Sequence, residues 1–193
     1  MLALALAATL AQAPTDPGAP SKKDAYLADK PHVTERPAAR RGQQAERPIW
    51  AHNLRTHEIR ALTGAAGIPE GPAGQAARSE FFRCWFTEVQ GPIPAVLLGR
   101  LIAAATHFEV REVRIISGFR HRKYNLSLVK KGREVALDSE HTRGHAIDFF
   151  LPEVKTRALY DWLRQTHDGG VGFYPVSAFV HVDLGRKRTW RGT

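Results

Sequence analysis

Two short stretches constrain this chain more than any others. They are Ser139-Glu-His-Thr-Arg-Gly-His-Ala-Ile-Asp148 and, nearer the C-terminus, Phe179-Val-His-Val-Asp183. Both carry imidazole and carboxylate groups beside or inside runs that otherwise read as apolar strand. Polar groups in such runs are costly unless something pairs with them. The rest of the chain reads as scaffold for a site built from these two segments. Gly144 suits a turn, because glycine accepts backbone angles that other residues avoid. After it, His145–Leu151 carries aromatic and β-branched residues and is stopped by Pro152, so it predicts a strand. Side-chain alternation then places Ala146, Asp148 and Phe150 on one face, and His145, Ile147 and Phe149 on the other. The same rule applied to Ala178–Leu184 groups Phe179, His181 and Asp183 opposite Ala178, Val180, Val182 and Leu184.

His141 precedes the glycine turn and can fold back toward Asp148. With His181 these residues make two imidazoles and one carboxylate, a set that suits Zn²⁺ with a fourth position open to water. His145 points away from Asp148 and is excluded as a ligand. A histidine on a strand is more often structural than metal-binding. His181, however, shares its face with Asp183, and a second His/Asp pair lies elsewhere in the chain. The single cysteine, Cys84, excludes an intrachain disulfide and a Cys-rich zinc site, and is expected to be buried. His57-Glu58 invites comparison with a zincin helix, but the second histidine would fall at Ala61.

The remaining pattern mixes helix and strand. Trp50–Leu62 predicts strands, Gly64–Gly74 a Gly/Pro loop, and Phe81–Phe86 an aromatic core segment. From Pro94 a helix is expected with Val96, Leu97, Leu101, Ile102 and Ala105 on its apolar face. Glu112–Ser117 predicts a strand, His121–Lys131 a helix, and Glu153–His167 a helix that faces Val154, Ala158, Leu159, Trp162 and Leu163 inward. Asp168-Gly-Gly170 ends that helix. Val171–Tyr174 and Ala178–Leu184 follow as a hairpin or as adjacent strands.

The chain of 193 residues is of single-domain length and carries a formal charge of +9. Residues 1–13 form an apolar run ending in Ala11-Gln-Ala13, which matches a signal-peptidase site, although a basic leading region is missing. The run is shorter than the roughly 20 apolar residues that span a bilayer. Residues 14–47, rich in Pro, Ala, Lys and Arg, read as a disordered basic linker. Residues 48–193 form the expected folded domain. The basic charge suits an anionic polymer, and no nucleic-acid motif is present. An anionic cell wall outside the membrane fits the leader, so a periplasmic location is expected, with no stable membrane insertion after signal removal.

Four motifs stand in order: Ser117-Gly-Phe-Arg120 with Asn125, Ser139-x-His-x-x-Gly-x-Ala-x-Asp148, Gly169-Gly-Val-Gly-Phe-Tyr-Pro175 with Phe179-Val-His-Val-Asp183, and Arg188-x-Trp190. In this order they resemble the M15-type zinc peptidases, in the DUF882 branch of periplasmic murein endopeptidases. The resemblance is firm over about Arg111–Trp190. It implies an α+β fold, a small antiparallel sheet with flanking helices, of the hedgehog and D-Ala-D-Ala-peptidase kind. It also implies a zinc-dependent peptidase that acts on peptidoglycan peptides, with His141, Asp148 and His181 as metal ligands. Arg120 is then expected to bind substrate carboxylate or a developing oxyanion, with Ser117, Asn125 and Tyr174 near the substrate.

Two departures from the family pattern matter. His121-Arg122 stand where relatives often carry Ser-Pro. Ala178 stands three residues before His181, where many relatives carry the acidic general base. Asp183 is therefore the expected base, with orientation of His181 as its other role; Glu140 and Tyr174 are the lesser candidates. Tyr174 has two readings, a core aromatic or a hydrogen-bond donor at the site. A zinc-containing wall-binding module without catalysis is the alternative function, favoured by Ala178.

Overall fold

The computed structural model describes residues 47–133 and 135–193. The expected signal peptide, and all of the expected linker except Arg47, lie outside the described residues. The described part opens with strands β1 (Trp50–Asn53) and β2 (Ile59–Ala61), followed by helices α1 (Gly71–Phe81) and α2 (Ala95–His107). Strand β3 (Glu112–Ser117) leads to helix α3 (Arg122–Lys130), a 3₁₀ turn (Glu140–Arg143) and strand β4 (Ala146–Phe150). Helix α4 (Thr156–Thr166) precedes three final strands, β5 (Gly170–Tyr174), β6 (Phe179–Asp183) and β7 (Arg188–Arg191).

All seven strands form one sheet in the order β2-β1-β3-β4-β6-β5-β7. The sheet is mixed, whereas an antiparallel one was expected. β1 pairs in parallel with β3, and β5 with β7. The physical reason lies in the connections. A parallel pair needs a long crossover, and β1 reaches β3 only after β2, α1 and α2. β7 lies parallel to β5 because the chain reverses twice, through β6, before reaching the far side of β5. The described part is thus a mixed α/β arrangement in which antiparallel pairs hold the centre, between β3 and β5.

Alternation sorts the sheet into two faces. Val113, Ile115, Ile147, Phe149, Val171, Val180 and Val182 enter one hydrophobic core with Leu97 and Leu101 of α2 and Leu159 and Leu163 of α4. Burying each large side chain contributes about 1.5–3 kcal/mol. Asp148, His181 and Asp183 alternate with these residues and so emerge on the other face.

Several local expectations are corrected. The Gly/Pro loop yields to α1 at Gly71, because Pro72 occupies the first turn, where its missing N–H is harmless. Phe81, Phe82 and Cys84 are buried, but Trp85 and Phe86 are exposed and gather around Tyr124 of α3. On α2 the buried residues are Leu97, Leu98, Leu101, Ala104 and Ala105, while Val96 faces solvent. On α4, Ala158 is exposed.

Candidate metal centre

The site is built on cross-strand register. Ser117 of β3 lies opposite Asp148 of β4, Asp148 opposite His181 of β6, His181 opposite Gly172 of β5, and Gly172 opposite Trp190 of β7. Five strands thus contribute one residue each to a single row. Directly opposed Cβ atoms lie about 4.5–5.5 Å apart, so Asp148 and His181 must meet. A register shift between Ile115 and Ser117 brings Ser117 into the row; such bulges re-aim side chains. Gly172 has no side chain, and a Cβ there would lie 2.6 Å from the Trp190 ring. The gap lets the indole lean across β5 to within 5.1 Å of the His181 ring, centre to centre.

The neighbouring row repeats the device. Ala146, Asp183, Gly170 and Arg188 lie side by side across β4, β6, β5 and β7. A Cβ on Gly170 would collide with the Asp183 carboxylate, so glycine there admits the Arg188–Asp183 pair.

His141 arrives from the 3₁₀ turn. That turn ends at Gly144 with φ 76°, and a Cβ there would meet the Pro92 carbonyl oxygen. The turn is pinned by the Arg120 N–H, which donates to the His141 carbonyl oxygen at 2.9 Å. The three side chains converge: His141 Nε2 to Asp148 Oδ1 is 3.1 Å, His181 Nδ1 to Asp148 Oδ1 is 2.8 Å, and His141 Nε2 to His181 Nδ1 is 3.2 Å. Bonds of 2.0–2.1 Å in a tetrahedral zinc site separate neighbouring ligand atoms by about 3.3 Å. The observed triangle is close to one face of that tetrahedron.

The other ring nitrogens settle what the triangle needs. His141 Nδ1 lies 2.7 Å from the Gly118 carbonyl oxygen, which can only accept. His181 Nε2 lies 3.0 Å from Asp183 Oδ2, a carboxylate that also only accepts. Both outer nitrogens therefore carry the proton in the neutral rings, and both inner ones present lone pairs. Two lone pairs and a carboxylate oxygen, buried and within about 3 Å of one another, demand a cation between them. A proton or a metal ion meets that demand, and the donor set fits zinc.

The electrostatics follow. Burial works against ionisation of Asp148, but the two neighbouring imidazoles outweigh it and hold its carboxyl far below the usual range. Burial lowers the His141 imidazole. In His181 burial acts in the same direction, yet the Asp148 and Asp183 hydrogen bonds leave the net shift upward.

Asp183 does not have the contacts of a general base. Its Oδ1 accepts from Gly170 N at 3.1 Å, Gly185 N at 2.8 Å and Arg188 Nη1 at 3.0 Å. Its Oδ2 accepts from Arg188 Nη2 at 2.7 Å and from His181 Nε2. The residue is fully buried, and despite that burial the hydrogen bonds from His181 and Arg188 hold its carboxyl far below the usual range. It faces the outer nitrogen of His181, away from the triangle.

Arg120 does face the site, but each of its side-chain bonds is long: 3.4 Å to Asp148, Ser117 and Asn125 alike. Asn125, expected near substrate, is buried instead. It accepts from Arg120 and donates to the carbonyls of Ala136 and Leu137, which fixes the loop before the 3₁₀ turn. Tyr174 lines the cavity and accepts a hydrogen bond from Trp190 Nε1 at 3.0 Å while stacking on Phe179. His145 is half-buried and reaches Glu140 at 3.5 Å, outside the triangle. The cavity over the triangle measures about 380 Å³ and is also lined by Val135, Ala136, Glu140 and Arg188.

Sequence reasoning gave no role to Arg188, Trp190 or the Gly118 carbonyl. The Arg-x-Trp pair and the Gly-x-Gly spacing of β5 were the available signals.

Comparison with known proteins agrees with this geometry. The family model described as peptidoglycan L,D-endopeptidase MepK matches residues 51–190. A probable peptidoglycan L,D-endopeptidase MepK of Haemophilus influenzae is 42% identical over 84 residues, covering 42% of this chain and 44% of that protein. The peptidoglycan L,D-endopeptidase MepK of Escherichia coli K12 is 39% identical over 80 residues, with the same coverage. The matched stretch thus spans less than half the length of these relatives. No solved structure matches the chain.

Proposed function

This chain belongs to the peptidoglycan L,D-endopeptidase MepK family, and on that premise we propose that it is a zinc-dependent peptidase that cleaves L,D-peptide bonds in peptidoglycan. The observation that carries the reading is the convergence of three lone-pair donors, His141 Nε2, Asp148 Oδ1 and His181 Nδ1, at separations of 2.8–3.2 Å. These residues would hold the zinc. When bound, zinc polarises the scissile carbonyl and brings the pKa of a water down to about 7.

The chain's own residues do the rest. Gly118 and Asp183 hold the two imidazoles in the tautomers that aim lone pairs inward, as the outer partners of ligating histidines do. Arg188 clamps Asp183, and Gly170 leaves room for that clamp. Arg120, with three long and weak bonds, keeps guanidinium hydrogens available for the oxyanion that develops on the substrate carbonyl. Tyr174 and Trp190 line the opposite wall and position the peptide. Asp183 is thereby assigned to orientation, and Glu140, which lines the cavity and pairs with Arg143 at 2.8 Å, becomes the candidate base. The leader composition and the proposed substrate support a periplasmic location. No helix among the described residues is long and apolar enough to cross a membrane.

The test incubates purified protein with cross-linked muropeptides, with and without a chelator. Cleavage that stops with chelator and returns with zinc supports the reading. Zinc-loaded protein that binds the muropeptides and leaves every bond intact would replace it with the wall-binding module, which the alanine at 178 and the engaged Asp183 favour.

A further inference from the structure

A second cavity lies on the helix face of the sheet, at its β7 edge. It measures about 400 Å³ and is lined by Arg157, Tyr160 and Arg164 of α4, Phe173 of β5, and Thr189 and Arg191 of β7. Strand alternation relates it to the metal centre. Gly172 and Tyr174 of β5, with Arg188 and Trp190 of β7, face the metal centre. The intervening Phe173, Thr189 and Arg191 face this cavity.

Its chemistry is cationic. Tyr160 and Phe173 stack at 5.0 Å and form the floor. The Arg157 guanidinium lies 5.9 Å from both rings, and that of Arg191 lies 5.9 Å from Phe173. Arg157 and Arg164 share one carboxylate, Asp161, at 2.7 and 3.0 Å. Among the described residues Arg191 has no carboxylate partner. Three guanidinium groups therefore face one carboxylate, and two positive charges remain unmatched. Planar guanidinium forks match carboxylates in bidentate geometry. The Arg157 and Arg191 guanidinium groups lie near the outer limit of cation–π range over these rings.

We propose that this cavity is an exosite for the free carboxylates of peptidoglycan stem peptides beyond the bond being cut. The inference rests on the proposed function. The position of the cavity selects this occupant: it shares β5 and β7 with the metal centre, and β7 is the sheet edge. A polymer that passes round that edge engages both faces, and the exosite then holds the enzyme on the wall between cleavages.

The experiment compares two triple variants of the full chain. One is Arg157→Gln/Arg164→Gln/Arg191→Gln. The other, Lys123→Gln/Lys130→Gln/Lys131→Gln, removes the same charge from exposed positions on or just after α3 that line neither cavity. Metal-free protein is sedimented with insoluble peptidoglycan at about 0.1 M salt, where charges beyond about 10 Å are screened. The arginine variant should bind about tenfold more weakly, and the lysine variant less than threefold. Wild-type binding to peptidoglycan whose carboxylates have been amidated should fall to the level of the arginine variant. Cleavage of a small soluble muropeptide should be unchanged in both variants.

Equal losses in the two triples would reduce the cavity to general charge and overturn the proposal. So would unaltered binding to amidated peptidoglycan, or a loss confined to anionic phospholipid vesicles. If the arginine triple does not fold, Arg191→Gln alone, which leaves both Asp161 pairs intact, should weaken binding about threefold; no change there overturns the proposal. Failure of the wild type to cleave the soluble muropeptide defeats the peptidase reading alone, because binding is measured on metal-free protein.

Discussion

Replacing Asp183 by Asn tests the orientation assigned to this residue. The carboxylate accepts from five donors at 2.7–3.1 Å. Asparagine keeps the shape but has one acceptor oxygen and one donor group. If the oxygen stays with Gly170, Gly185 and Arg188 Nη1, the amide N–H faces His181 Nε2–H. The ring then moves its proton to Nδ1, the atom that faces Asp148 and His141, and a ligand lone pair is lost. Losing such a partner typically costs 10–100-fold in metal affinity, which is about 1.4–2.7 kcal/mol. The Arg188 side chain is 36% exposed, so water compensates part of the broken pair. Metal-free protein should lose about 1–3 kcal/mol, below the 3–5 kcal/mol typical of a fully buried pair. Zinc affinity is measured by competition with a chromogenic chelator at neutral pH, and stability by urea unfolding without metal. A variant with wild-type zinc affinity and unfolding midpoint, but turnover lower by about 10²–10⁴-fold, would make Asp183 a general base and refute the orientation argument.

Three further outcomes are expected. His141→Ala should lower bound zinc from about one per chain to none, whereas His145→Ala should keep it, as read by metal analysis after dialysis. Gly172→Ala should push the Trp190 indole off His181, break its bond to Tyr174 and destabilise the domain by about 1–3 kcal/mol, visible as a shift in tryptophan emission and in the urea midpoint. Glu58 supplies a pH test. Burial raises its carboxyl, but hydrogen bonds from Arg83 and Thr56 leave it below its ordinary value. A depressed folded value stabilises above the unfolded pKa near 4.3 and is lost as pH falls through the folded one. The side chain is 42% exposed, so Glu58→Gln should be weaker than wild type at pH 7 by about 0.5–1 kcal/mol at most, and the difference should shrink as pH is lowered through the acid range, followed by unfolding at each pH.

How much was legible in the sequence depended on the range of the interaction. Period-two alternation placed Asp148 with Ala146 and His181 with Asp183, because strand side chains obey a local rule. The same rule removed His145, which the structure leaves half-buried beside Glu140. Helix α2 was expected from its apolar repeat, yet the repeat misplaced Val96 and missed Leu98, because a period does not say how wide the buried stripe is. Helix α1 was hidden by its Gly and Pro content. Tertiary packing through Phe81 and Arg78 overrides that weak local preference.

The residue types and spacing of His141, Asp148 and His181, and the strand faces that carry Asp148 and His181, were determined by the sequence alone, since each follows from chemistry within a few neighbouring positions. Which strands stand side by side was decided only by the tertiary structure. The Gly-Val-Gly of β5 reads in sequence as a flexible run. In the sheet its two glycines are gaps, through which Trp190 reaches His181 and Arg188 reaches Asp183. Asp183 likewise sits two residues from His181 under any reading, but its role depends on where its lone pairs point. Arg188 and the Gly170 and Gly185 amides claim them, and no rule of periodicity carries information about register across four strands.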